Sequence, residues 1–162
     1  MLKKFRGDLH IHTCLSPCGD LSMLPTAIVR EARKKDMDII GICDHNSAEN
    51  VEAVKRAGKR EGITVIGGIE ITSREEAHVL ALFDDDSHLF SIQDIIYENL
   101  PGVNDERVFG EQLVVDEDDR ILATNERLLI GASELVIEKI VETIHQLGGI
   151  AIASHIDRDS FS

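Results

Sequence analysis

The stretch GDLHIHTCLSPCGD, residues 7–20, carries the first side chains that could do chemistry. Side chains at positions i and i+2 of a strand point to one face, so His10 and His12 could bind one metal ion together. Asp8 shares their face and could orient an imidazole by hydrogen bonding. The chain has seven histidines, so an HxH pair alone is weak evidence. A thiol site or an ordinary buried strand would also fit the stretch.

Further titratable residues stand at the ends of apolar runs. They are Asp44 and His45 after IIGIC, Glu70 in GGIEIT, His78 before VLALF, and His155 after IAS. A charged group beside a buried strand is costly unless it is paired or bound to a metal, so several such residues favour one shared site. Imidazole and carboxylate ligands suit Zn, Mn or Fe. A bridging carboxylate can hold two ions about 3.5–4 Å apart.

The cysteines offer a rival metal site. Cys14 and Cys18 have C-x3-C spacing, but Cys43 is the only other cysteine and structural zinc usually takes four protein ligands. We therefore interpret Cys14 and Cys18 as loop residues beside the metals. Cys43 is interpreted as a small apolar filler of its strand.

Alternating periodicities predict the elements that would position these residues. Strands are predicted at 5–12, 38–45, 63–72, 77–83 and 150–155. Helices are predicted at 25–36, 47–61 with Asn46 as cap, 88–99, and in SELVIEKIVETIHQLGG with Ser133 as cap. A hairpin insertion is predicted near 111–125, around the acidic run DEDD.

This alternation predicts an α/β fold with a parallel sheet, whose sites assemble at the carboxyl ends of the strands. A closed α/β barrel usually needs about 200–250 residues. The chain supplies only five or six strands in 162 residues. We therefore expect one domain over 1–162 that resembles an incomplete barrel, stopping before its last strands.

Composition narrows the classes of partner. The formal net charge of −13 would repel phosphate backbones, so a long nucleic acid is not the expected partner. No apolar run approaches the length of a membrane span, and MLKKFRGDLH is not followed by the apolar core of a signal peptide. Three cysteines fit no disulfide framework, so a cytoplasmic location is expected.

Six motifs in order resemble those of the PHP (polymerase and histidinol phosphatase) family. They are DLHIHT, the Asp20 of PCGD, CDHN, GGIEIT, EAHVLAL and IASHID. The resemblance covers essentially the whole chain. It implies a distorted, TIM-like (β/α)7 barrel, incomplete here at the C-terminus, and a metal-dependent phosphoesterase with a trinuclear site.

The resemblance also assigns ligands. His10 and His12 would bind a first ion, His78 and His155 a second, Asp20 and His45 a third, with Glu70 bridging the first two. Asp8 and Asp44 would not bind metal themselves but would orient these ligands by hydrogen bonding. The family's late Asp-x-His motif is absent, since the chain ends in DRDSFS. Truncation and loss of two ligands are both open, and the second site is the most complete.

The function implied is hydrolysis of a small phosphomonoester or nucleotide by a metal-bound water, with Glu70 as the bridge. Two or three divalent ions (Mn, Zn or Fe) would activate that water and neutralise phosphate oxygens. Arg158 could bind the substrate phosphate, or pair with Asp157 or Asp159.

Two alternatives stay open. An amidohydrolase-type barrel also begins with HxH but commonly uses a modified lysine on a middle strand, and no lysine lies between Arg60 and Lys139. The missing late motif leaves room for a degenerate PHP-type module that binds metal without turnover.

Overall fold

The computed structural model describes residues 2–156, in which strands and helices alternate along most of the chain. The strands are β1 (Gly7–Ile11), β2 (Ile39–Ile42), β3 (Thr64–Thr72), β4 (His78–Phe83), β5 (Leu113–Val115), β6 (Ile121–Thr124) and β7 (Ile150–Ala153). The α-helices are α1 (Pro25–Lys34), α2 (Val51–Glu61), α3 (Asp86–Glu98), α4 (Glu106–Phe109) and α5 (Ile137–Gln146). A short 3₁₀ helix spans Leu21–Met23. It and α4 have no counterpart among the predicted elements.

The main sheet has the order β1-β2-β3-β4-β7 and is mixed. β1, β2 and β3 run parallel, whereas β4 runs antiparallel to both β3 and β7. The prediction of a parallel sheet is therefore wrong for β4. The short turn 73–77 between β3 and β4 explains this, because a parallel connection needs a crossover of a dozen or more residues.

The sheet curls, so that its two edge strands approach each other. β1 and β7 lie at opposite ends of the strand order, yet the rings of His10 and His155 stack with centroids 6.1 Å apart. The α/β class is confirmed. The described residues form a partial barrel with a five-stranded sheet, and not the full seven-stranded barrel that the family resemblance implies.

The core lies between the curled sheet and its helices. Ile28 of α1, Val54 of α2, Leu89 of α3 and Ile144 of α5 belong to one buried apolar cluster. Cys43 is buried with Leu80 and Leu82 on the other side of the sheet, as a small apolar filler would be. Among residues 2–156, none of the helices has the length and apolar character that crossing a membrane requires.

The two-stranded β5–β6 sheet is separate from the main sheet, and the side chain of Asn50 is a buried link between it and the rest of the chain. The amide of Asn50 donates to Oγ1 of Thr13 at 3.0 Å and to the carbonyl of Leu113 at 2.9 Å. Its oxygen accepts from the backbone N–H of Val115 at 2.9 Å. Asn50 is fully buried. It therefore ties the hairpin to the loop that follows β1.

The acidic turn of this hairpin is paired with basic and polar groups on α1 and α2. Oε2 of Glu117 lies 2.9 Å from Nε of Arg56, and Oδ1 of Asp118 lies 2.6 Å from Nη1 of Arg60. Asp119 accepts a hydrogen bond from the backbone N–H of Thr26 at 3.0 Å. Part of the large negative charge is thus balanced locally.

Asn46 and Ser133 are not the helix caps that the sequence predicts. Both instead hydrogen-bond to Thr72, the last residue of β3. Asn46 donates to the carbonyls of Leu129 and Gly131 and accepts from the N–H of Thr72, while α2 begins only after Asn50. The N–H of Ser133 donates to the carbonyl of Thr72 at 2.9 Å, and α5 begins after Val136.

The anchoring role of Asn50 can be tested by Asn50→Ala. The substitution removes three hydrogen bonds and leaves buried backbone groups of Leu113 and Val115 unpaired, so we expect a loss of about 2–4 kcal/mol in the free energy of unfolding. Urea unfolding followed by circular dichroism would measure it. The control is Glu52→Ala, which removes only an exposed i,i+4 ion pair with Arg56 and should change stability by less than about 0.5 kcal/mol. Equal effects of the two substitutions would contradict this role for Asn50.

Candidate metal centre

The carboxylate of Glu70 lies at the centre of a cluster of five histidines. Glu70 is near the end of β3 and only 1% exposed. Its Oε1 lies 3.2 Å from each of His10 Nε2, His78 Nδ1 and His155 Nε2. Its Oε2 lies 3.1 Å from His12 Nε2 and 3.2 Å from His45 Nδ1. Six of the seven residues predicted as metal ligands are therefore together.

Four strands deliver the histidines to one edge of the sheet. His10 and His12 lie at the end of β1, His45 follows β2, and His155 follows β7. His78 begins β4, but β4 is antiparallel to β3, so its first residue pairs with the last of β3. The strand reversal that the sequence did not reveal is thus what brings His78 to the cluster.

The imidazoles form a closed ring around the carboxylate. Ring-centroid distances are 5.0 Å for His10–His12, 4.5 Å for His12–His45, 5.3 Å for His45–His78, 5.0 Å for His78–His155 and 6.1 Å for His155–His10. Imidazole nitrogens at such spacing around one carboxylate are a donor set typical of transition-metal sites.

Hydrogen bonds behind His12 fix its tautomer. Oγ of Ser16 donates to the carboxylate of Asp44 at 2.6 Å, so it can only accept from Nδ1 of His12, 3.0 Å away. Nδ1 therefore carries a proton, and in the neutral imidazole Nε2 would point a lone pair at Glu70. Two lone pairs facing each other at 3.1 Å are unfavourable unless a proton or a cation lies between them.

Protonation of the cluster reflects its burial and its contacts. Burial opposes the charged form of His12, but contacts with Cys18 and Glu70 outweigh it and raise its pKa to about 10. Burial, reinforced by the charge of His12, lowers the pKa of His45 to about 3. Burial favours the neutral form of Glu70, but hydrogen bonds from three histidines hold the pKa of its carboxyl well below the usual range. An ionised Glu70 and a neutral His45 are the forms that bind metal.

Two buried imidazole nitrogens of the cluster lack a hydrogen-bond partner among residues 2–156. Nδ1 of His155 is buried without a hydrogen-bond partner within residues 2–156. Nδ1 of His45 lies 3.2 Å from Glu70 but is not aligned for a hydrogen bond, and it too lacks a partner in this part of the chain. Buried polar atoms are normally satisfied, so Nδ1 of His45, which faces Glu70, fits a site completed by an ion, whereas His155 faces Glu70 through its other nitrogen, Nε2.

Ligand atoms of described residues lie within 4.8 Å of one another in three groups. The groups are His10, His12 and Glu70; His45, Glu70 and His78; and His12, Cys18 and His45. The residues present therefore fit bound metal ions, and Cys18 joins the candidates.

Asp44 and Asp8, the two residues predicted to support the metal ligands, differ in burial and in hydrogen bonding. Asp44 is fully buried and accepts from the N–H of Thr13 at 2.6 Å, from its hydroxyl at 2.8 Å, and from Ser16. Through Ser16 it supports His12. Asp8 is exposed and accepts only from the backbone N–H of His10, at 3.3 Å, in the described contacts.

Two other predicted residues are not brought to the cluster by the described structure. Asp20 is exposed, and its carboxylate accepts from the N–H of Ser22 at 2.7 Å, capping the 3₁₀ helix. The thiol of Cys18 does reach the cluster, with Sγ 3.4 Å from Nδ1 of His12. Arg158 falls outside the described residues.

Sequence reasoning missed three residues at the site. Ser16 supports His12, and Ser154 donates to Oε1 of Glu70 at 2.9 Å. Ile130 lines the pocket, in a loop whose carbonyls are bonded by Asn46. Serine and isoleucine carry no signal of their own at these positions. The position of Ser154 directly before His155 was the only available hint for any of them.

The cluster opens into a pocket of about 570 Å³, a size that suits a small ligand. It is lined by His10, His12, Cys18, His45, Glu70, His78, Ile130 and His155. None of these described lining residues is Lys or Arg. When the imidazoles bind metal they are neutral, so positive charge for an anionic ligand would then come from the metal ions.

Several known proteins are similar to this chain in sequence or in structure. The chain is 27% identical over 195 residues to a 5'-3' exoribonuclease of Haemophilus influenzae, covering 96% of this chain and 69% of that protein. A protein of Bifidobacterium adolescentis, assigned as a metal-dependent phosphoesterase, has a similar structure with a TM-score of 0.64, 17% identity, and coverage of 96% and 68%. The lesion-specific endonuclease Q of Pyrococcus furiosus has a TM-score of 0.59, 17% identity, and coverage of 91% and 33%.

The chain also matches a protein-family model over most of its length. The PHP domain model matches residues 8–158, which include all seven predicted ligands. The resemblance drawn from the six motifs is therefore confirmed, and with it a metal-dependent hydrolase of the phosphoesterase or nuclease kind. This chain belongs to the PHP domain family.

Proposed function

We propose that this chain hydrolyses a small phosphomonoester or a nucleotide with metal ions held around Glu70. The observation that carries the proposal is the buried Glu70 carboxylate, with an imidazole nitrogen from each of five histidines within 3.2 Å. A carboxylate whose two oxygens face different imidazoles has the arrangement of a bridging ligand.

The proposed ligand assignment is the one that the family resemblance implies, and the contacts around Glu70 are compatible with it. His10 and His12 hold a first ion with Glu70, in keeping with the 4.8 Å grouping of their ligand atoms. His78 and His155 hold a second, both facing Oε1. His45 also groups with Glu70 and His78, so it lies between the second site and any third.

The chain's own groups prepare this chemistry. The Asp44–Ser16 pair holds His12 with Nε2 toward the site, and the low pKa of Glu70 keeps its charge available. Bound divalent ions would lower the pKa of water and neutralise phosphate oxygens. Because none of the described lining residues is Lys or Arg and metal-bound imidazoles are neutral, phosphate binding depends on those ions.

The proposed substrates include the end of a nucleic-acid strand, although the net charge of −13 argues against a long nucleic acid. Relatives whose names specify action on RNA or lesion-containing DNA weaken the expectation that nucleic acid is excluded. Net charge describes the whole surface, and the acidic hairpin turn is balanced by Arg56 and Arg60. A nucleotide or the end of a strand therefore stands beside small phosphomonoesters as a candidate.

The bridging role of Glu70 is tested by metal content. Protein purified without chelator should hold two or three equivalents of Mn, Zn or Fe by elemental mass spectrometry. Glu70→Gln keeps the shape but removes the charge, so we expect it to lose at least one equivalent. His145→Gln, an exposed histidine on α5, should leave the content unchanged. A wild-type protein without metal after reconstitution would rule out the proposal.

Turnover is tested with a panel of p-nitrophenyl phosphate, nucleoside monophosphates and bisphosphates, and 5'-phosphorylated short oligonucleotides. His78→Ala should lower kcat/KM at least about 100-fold, because a lost ligand misplaces the reacting centre. His88→Ala, exposed on α3, is the matched control and should retain activity. Chelation should abolish turnover and added metal restore it. Metal binding without hydrolysis of any panel member would favour the degenerate module instead.

A further inference from the structure

We propose that Cys18 is a metal ligand and that its thiolate, together with His45, forms a third, sulfur-containing site beside the Glu70 cluster. This inference rests on the proposed metal function and names one more ligand for it. The Sγ of Cys18 lies 3.4 Å from Nδ1 of His12. Ligand atoms of Cys18, His12 and His45 all lie within 4.8 Å of one another.

The loop after β1 holds Cys18 in place. Within this loop, Thr13 donates to the buried carboxylate of Asp44 through both its backbone N–H and its hydroxyl. The N–H of Gly19 then donates to the carbonyl of Ser16 at 2.8 Å. A side chain at Gly19 would clash with the carbonyl oxygen of Thr13, so only glycine permits this closely folded loop. Cys18 therefore stands at a fixed position on the pocket wall.

Its partner His45 has a nitrogen, Nδ1, that lies 3.2 Å from Oε2 of Glu70 but takes part in no hydrogen bond among the described residues. His45 is 7% exposed, and its Nδ1 is buried without a hydrogen-bond partner in the part of the chain that the structure describes. His12 is already committed: Nδ1 donates to Ser16 and Nε2 faces Glu70. An ion near Cys18 would therefore draw its nitrogen ligand from His45 and lie at the edge of His12.

The rival ligand is Asp20, which the family resemblance assigns to the third ion. Its exposed carboxylate instead caps the 3₁₀ helix by accepting from Ser22. It is absent from the three groups of neighbouring ligand atoms found among the described residues. Geometry therefore favours the thiol over the carboxylate.

The other two thiols have different environments. Cys14 is 2% exposed, and its Sγ faces the carbonyl of Leu113 at 3.8 Å. Cys43 is fully buried among apolar residues. Cys18 is exposed and is the one cysteine among the described pocket-lining residues.

A sulfur ligand changes which metal the site prefers. Thiolate and imidazole together favour zinc or iron, whereas carboxylate and water favour manganese or magnesium. Binding replaces the S–H proton with the metal and releases that proton to solvent. The third site should therefore take zinc or cobalt in preference to manganese.

Cobalt(II) provides the test, because a thiolate bound to it produces a near-ultraviolet charge-transfer band that imidazole and carboxylate ligands do not. The full chain is stripped with chelator, reloaded with Co²⁺, and measured by absorption spectroscopy and elemental analysis. Wild type should show the band. Cys18→Ser should lose it together with one equivalent of cobalt. Cys14→Ala and Asp20→Asn should both keep it.

A second variant distinguishes loss of the sulfur ligand from misfolding of Cys18→Ser. Cys18→Asp should keep the third equivalent, lose the sulfur band, and shift preference toward manganese, with far-ultraviolet circular dichroism unchanged. An unchanged band in Cys18→Ser, or loss of the third equivalent in Asp20→Asn alone, would overturn the role of Cys18. Two equivalents in wild type without the band would also overturn it and leave the Glu70 cluster intact. Absence of cobalt and zinc from wild type would instead contradict the proposed function.

Discussion

The carboxylate of Glu70 is almost wholly removed from water, and an ionised carboxylate in that position costs several kcal/mol unless neighbouring groups compensate. Compensation comes from five imidazoles and the hydroxyl of Ser154. Those groups come from β1, β4 and the residues that follow β2 and β7. The need to surround one buried charge thus fixes where several strands end, and it requires the sheet to curl.

A second buried carboxylate, that of Asp44, positions the residues that support His12 on the side away from Glu70. It receives hydrogen bonds from Thr13 and Ser16, and Ser16 in turn orients His12. One residue of β2's carboxyl end therefore sets both the path of the loop after β1 and the tautomer of an imidazole. Such support from behind is common in metal sites, where it raises the basicity of the ligand. Here it also places the loop that carries Cys18.

Residue chemistry makes much of the site predictable from the amino-acid sequence. Histidines and a glutamate at the ends of apolar runs are costly to bury singly, which is why residue type and position indicate His45, Glu70 and His155. Periodicity locates most strands and helices but carries no strand direction, so it does not predict the reversal of β4. Motif order assigns Asp20 to the site, whereas its carboxylate is engaged in capping. Ser16 contributes through contacts distant in sequence, which neither propensity nor pattern encodes.

The stacking of His10 on His155 has a consequence for the chain as a polymer. Ser154 Oγ lies 3.5 Å from Nδ1 of His10, a contact between residues 144 positions apart. The two ions that Glu70 would bridge, one held by His10 and the other by His155, would together act as a cross-link that closes a loop of nearly the whole described chain. Cross-links of long loops mainly restrict the unfolded state, by an amount that grows slowly with loop length. Metal would then have two roles in this molecule: it would take part in catalysis, and it would cross-link the two edges of the sheet and so stabilise its curled form.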